Sequence, residues 1–134
     1  DHLGCDIVFT EGFMEGLDAW DLVVYRMTRT KIGLNPTGNN AECLRLAELL
    51  ENGVVPAMIA NQKTEFLHAA FRPLPAITGE SWAQVAEKMK WLLANLDELE
   101  NLQQDAIRFY ADLKQCMKMN LGFVLSNAFG EAYQ

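Results

Sequence analysis

The sequence predicts an α/β layered domain built on a parallel sheet, and three observations predict it. Strand-like apolar runs alternate with helical patterns along the chain, which implies parallel pairing through helical crossovers. The strand runs are continuously apolar rather than alternating, as in a sheet covered on both faces. The helical share is high for three or four short strands, so the sheet is expected to be half of something larger.

Taken in order, Ile7-Val8-Phe9 reads as a short buried strand closed by Gly12 and Gly16. Leu17, Trp20, Val23, Val24 and Met27 then fall at helical spacing, which predicts a helix over about 17–29. Ile32-Gly33-Leu34 is a second strand, ended by Asn35-Pro36. A helix over about 41–52 follows, with Cys43, Leu46, Ala47 and Leu50 as its apolar stripe. Asn52-Gly53 supplies a left-handed stop. Val54 to Ile59 reads as the next strand. Pro56 cannot donate to a ladder and belongs near that strand's start or at an unpaired position. A loop punctuated by Pro73 and Pro75 comes next. Ser81-x-x-Gln84 is a capping-box pattern opening a helix that carries Trp82, Val85, Ala86, Met89, Leu92 and Leu93 on one side. Asp97 starts a last long helix through about residue 118, with Leu99, Leu102, Ala106, Phe109 and Leu113 inside. The segment after Leu121 is left unassigned.

The bulk numbers bound the function. A chain of 134 residues is read as a single domain, 1–134, able to bury roughly 68% of its unfolded surface. The net charge of −7 argues against a nucleic-acid surface, because phosphate tracking needs a basic stripe. The same charge argues against an anionic-lipid partner. Cys5, Cys43 and Cys116 have no close spacing, and no Cys/His cluster or paired-carboxylate motif points to a metal. His2 and His68 stand alone and are read as ordinary residues. No apolar run approaches the ~20 residues of a membrane span. Asn35-Pro36-Thr37 has proline where a glycosylation acceptor forbids it. The chain begins at Asp1 rather than Met, and is expected to be a piece of a longer protein.

One stretch carries chemistry. Pro36-Thr37-Gly38-Asn39-Asn40 lies between the second strand's carboxyl end and a helix N-terminus. In open α/β sheets ligands bind beyond the carboxyl ends of strands. A helix N-terminus offers unpaired N–H groups and about half a positive charge to an anion. Gly38 lets backbone approach a ligand closely. The same residues also suit plain turn geometry, and Asn39-x-x-Glu42 fits a capping box. Glu42, Arg45 and Glu48 follow at spacings of three, stepping around an arc of about 120° away from the apolar stripe. Such a row forms ion pairs on a solvated face. It equally provides a carboxylate for sugar hydroxyls and a guanidinium fork for phosphate oxygens. Periodicity alone does not choose. Elsewhere, Trp20, Trp82 and Trp91 are read as core or edge packing, and Tyr25 as core packing, with approach to a ligand as its alternative. The acidic row Asp97, Glu98, Glu100, Asp105 and Asp112 is read as a solvated face, or a surface that docks another domain.

The stretch KIGLNPTGNNAECLRLAELLENGVVPAMI resembles the donor-binding half of exostosin-like, GT-B-fold glycosyltransferases. That family's pattern runs from a Tyr-containing helix through an FxLxPxG strand and loop to xRLxEAxxxGxIPVI. Here Tyr25 is followed by Ile32-Gly33-Leu34-Asn35-Pro36-Thr37-Gly38. Arg45-Leu46-Ala47-Glu48-Leu49 and Gly53-Val54-Val55-Pro56-Ala57-Met58-Ile59 complete the pattern, over about residues 25–60. Leu49 stands where the family often has Ala, and Asn35 where it often has Cys or Ala. The Trp82 region and the helical end are similar more loosely.

The resemblance implies a Rossmann-like three-layer half-domain, with a short, mostly parallel sheet and long C-terminal helices. It implies a nucleotide-sugar donor, often a UDP-sugar, as substrate, with a glycan or other acceptor. The diphosphate would rest over Thr37, Gly38, Asn39 and Asn40. Arg45 would face phosphate or ribose and help stabilise the leaving group, Glu48 would bond the ribose hydroxyls, and Glu42 would lie near the same ligand. No metal and no separate cofactor is expected, and the catalytic base would come from an N-terminal Rossmann-like half or a partner chain. Location would be the Golgi lumen for a eukaryotic member and the cytoplasm otherwise. The alternative is a non-enzymatic Rossmann-like module for nucleotide binding or assembly.

Overall fold

The computed structural model describes residues 18, 25–36, 44–60 and 72–130. The predicted strand at Ile7-Val8-Phe9 and most of the predicted helix over 17–29 lie outside them. The end of that segment is a short 3-10 turn, Met27–Arg29, closed by Thr30 N–H donating to Met27 O at 3.0 Å.

Three strands form the described sheet: β1 (Ile32–Leu34), β2 (Val55–Ile59) and β3 (Ile77–Gly79), in the order β1-β2-β3 and all parallel. Ile32 lies opposite Val55, and Ala57 opposite Ile77. Among the described residues three α-helices accompany the sheet: α1 (Leu44–Glu51), α2 (Trp82–Ala94) and α3 (Leu96–Phe129). The architecture is the expected α/β half-domain with a short parallel sheet and long C-terminal helices.

Pro56 shows how the central strand tolerates its proline. Val55 N–H donates to Lys31 O at 2.9 Å, and Ala57 O accepts from Asn35 N–H at 2.8 Å, so both residues turn their backbone groups toward β1. The missing N–H of Pro56 therefore faces the β3 side, one register before β3 joins at Ile77. No ladder bond is lost.

Both faces of the sheet are covered. On one, Met58 packs with Leu46 and Leu50 of α1 and with Ala106 and Phe109 of α3. On the other, Val55, Ala57 and Ile77 pack with Val85 and Leu92 of α2 and Leu99 of α3. The alternation along β2 is the two-residue period of a strand sandwiched between helical layers. Gly33 sets the spacing of β1 and α1: a Cβ there would run into Leu49 Cδ2.

The α1 stripe differs from the sequence expectation. Leu46, Leu49 and Leu50 are buried, whereas Ala47 is exposed. The larger side chains at i, i+3 and i+4 set the inner face, which is turned roughly 60° from a stripe that includes Ala47. The helix stops as expected. Gly53, at φ +68°, donates to Leu50 O at 3.2 Å while Val54 N–H donates to Leu49 O at 2.9 Å, a Schellman closure.

Three further expectations are corrected. β3 falls where a loop was expected, because a three-residue strand is too short to show a period. α3 runs to Phe129, well past residue 118, because no proline interrupts it. Of the core or edge packing expected for Trp82 and Trp91, the core alternative falls, since they lie 39% and 56% exposed. Ser81 caps α2 as expected, its Oγ accepting from Gln84 N–H at 3.4 Å. Gln84 Oε1 reaches back to Glu80 N–H at 2.9 Å, one residue earlier than a standard capping box.

Candidate functional site

The β1–α1–β2 unit positions the site. β1 is held by parallel bonds to β2, and its carboxyl end runs from Leu34 through buried Asn35 to exposed Pro36. Asn35 is 0% exposed, and its N–H donates to Ala57 O. No buried side-chain N or O atom among the described residues lacks a hydrogen-bond partner, so Asn35 is a satisfied structural polar residue. The next described residue is Leu44, the first of α1.

Thr37, Gly38, Asn39, Asn40 and Glu42 lie outside the described residues. Arg45 and Glu48 lie within them and come together. Arg45 Nη1 sits 3.0 Å from Glu48 Oε2, with side chains 38% and 42% exposed. Leu46, Leu49 and Leu50 take the core face of α1, which leaves the Arg45/Glu48 flank to solvent. The i, i+3 spacing allows this pair on any exposed helix. A guanidinium has five N–H donors, and one bond to Glu48 leaves a planar fork able to accept a phosphate. Asn52 fixes the far end of α1: its N–H and Nδ2 both donate to Glu48 O, at 3.2 and 2.8 Å.

Tyr25, expected in the core, is 58% exposed, and the Arg29 guanidinium lies over its ring at 4.2 Å. Arg29 and Lys31 precede β1 and so lie toward its amino end, away from the carboxyl-end turn.

No protein-family model, curated protein or solved structure matches this chain. The site therefore stands on its own residues. Among the described residues, no group of His, Cys, Asp or Glu is arranged to hold a metal, and no helix is long and apolar enough to cross a membrane.

A concavity away from that flank was not anticipated from the sequence. An open cleft of about 270 Å³ lies between β3, α2 and α3, lined by Ile77, Thr78, Lys88, Trp91 and Leu102 among others. Lys88 Nζ donates to Thr78 O at 2.6 Å, covering the outward edge of the strand. None of the lining residues belongs to β1 or α1, so this cleft is separate from the Arg45/Glu48 flank. Its only sequence signal was the run Ala76-Ile77-Thr78, too short to read as a strand.

Proposed function

We propose that this chain binds a nucleoside-diphosphate sugar at the carboxyl end of β1, as the donor-binding half of a glycosyltransferase. One observation carries the reading. A parallel β1–α1–β2 unit presents an arginine and a glutamate side by side on the open flank of the helix that follows the β1 turn. In this reading Thr37, Gly38, Asn39 and Asn40 supply backbone N–H groups to the diphosphate. Arg45 offers its fork to phosphate, and Glu48 accepts from the ribose hydroxyls. Glu42, three residues before Arg45 in sequence, would border the same ligand.

The chemistry asked of these groups is modest. Breaking the sugar–phosphate bond leaves charge on the diphosphate, and preorganised N–H groups with one cation stabilise that charge as it develops. The acceptor hydroxyl needs a base, which this reading assigns to a separate half or chain. The isolated chain therefore binds donor without completing transfer to a glycan or other acceptor.

Isothermal titration with UDP and GDP tests the proposal. Saturable binding of either, tightened by an attached sugar, supports it. No binding of any nucleoside diphosphate overturns it for this chain. The exposed flank of α3 favours a second reading, in which the chain is an assembly module. That reading expects self-association with no nucleotide affinity.

A further inference from the structure

α3 carries two stripes, and the body of the domain buries only one. Leu99, Leu102, Ala106, Phe109 and Leu113 pack inward. A second set, at the same alternation of three and four residues, runs along a flank that faces solvent. Alternating steps of three and four are the a and d positions of a heptad. Between residues 97 and 121, Asp97, Gln104, Ala111 and Lys118 are the a positions of this flank. Glu100, Ile107, Lys114 and Leu121 are its d positions. All are exposed, Ile107 by 42% and Leu121 by 59%, although Ile107 also borders Gly53 beyond the end of α1. The flank is also polarised. Asp97, Glu98 and Glu100 sit at its start, Lys114 and Lys118 in its second half, and residues 113–130 hold no acidic side chain.

We propose that this flank pairs antiparallel with α3 of a second copy of the chain. In an antiparallel helix pair an a position faces a d position of the partner. The register that sets Ala111 against the second copy's Ile107, small against large, fixes every other pairing. Lys118 then meets Glu100, Gln104 meets Lys114 and Leu121 meets Asp97, each twice by the two-fold axis. Glu100 and Lys118 are 18 residues apart, about 27 Å of helix, so the two ion pairs flank the axis symmetrically. Parallel pairing would instead set Glu100 on Glu100 and Lys118 on Lys118. Among the described residues neither Glu100 nor Lys118 is in an ion pair within its own chain. The flank is complementary to itself and to no surface of uniform charge. An anionic bilayer would be repelled by its acidic half, and an acidic partner likewise.

Sedimentation velocity of the full chain tests this, with circular dichroism to verify folding. The wild-type chain sediments as a dimer. K118E weakens the dimer at least about ten-fold, because like charges then face each other twice. Combining K118E with E100K restores it, and I107D abolishes it. A monomer at all concentrations up to about 1 mM, where even weak specific association is visible, overturns the proposal. A dimer indifferent to K118E and to I107D overturns it as well.

Discussion

Replacing Glu48 by alanine separates a ligand role from a merely structural one, because the two predict opposite readouts. Structurally, Glu48 loses one ion pair, to Arg45, whose partners are 38% and 42% exposed. Exposed i, i+3 pairs contribute about 0.3–0.5 kcal/mol, and alanine returns a few tenths through its helix propensity. The bonds from Asn52 go to the Glu48 backbone carbonyl and survive the substitution. Net destabilisation is thus under about 0.5 kcal/mol, a shift in Tm of roughly 1–2 °C for a domain of this size. As a ribose ligand, the carboxylate makes charge-assisted hydrogen bonds of about 1.5–3 kcal/mol, so its loss weakens nucleotide binding roughly 10- to 150-fold. Calorimetric titration with UDP alongside thermal melting measures both quantities. An unchanged Kd with a Tm lowered by many degrees would refute the reasoning.

Other outcomes follow from the fold. Gly53→Ala forces a side chain into φ +68° and brings a Cβ to 3.1 Å from Ile107 Cγ1. It should cost about 1–2 kcal/mol in urea unfolding, with an unchanged m value. Phe109, fully buried where α3 meets α1 and β2, should lose about 3–5 kcal/mol as Phe109→Ala in the same assay. Ser81→Ala removes the α2 cap and should cost about 1 kcal/mol or slightly less, given the 3.4 Å bond. Burial, and secondarily the charge of Glu51, push the Tyr110 phenol above its ordinary value. The folded state then holds that proton more tightly than the unfolded chain, so the associated stability is intact below pH 10 and declines above it. Denaturant midpoints measured across that alkaline range should fall less steeply in Tyr110→Phe than in wild type.

Much of the fold was legible because its signals are local. Asn52-Gly53 fixed the end of α1, Ser81 the start of α2, and the spacing from Leu99 to Leu113 the inner face of α3. Strands β1 and β2 read as short apolar runs bounded by turn residues. β3 did not, since three residues ending in glycine carry no periodicity and its place depends on pairing with β2. The burial of Leu49 in place of Ala47 was hidden for a related reason. Which flank of α1 faces the sheet depends on the close approach of Gly33, a contact across the fold. At the site, sequence spacing foretold that Arg45 and Glu48 share a face of α1, and they do. Whether that face serves a ligand was not legible. A surface ion pair and a nucleotide clasp use the same two residues at the same spacing.

The most direct test of the central claim is amide chemical-shift mapping of the labelled chain during titration with UDP. The account predicts saturable shifts concentrated at residues 37–48, with Arg45 and Glu48 among the most affected. Shifts confined to the cleft between β3, α2 and α3, or no shifts at all, would contradict it.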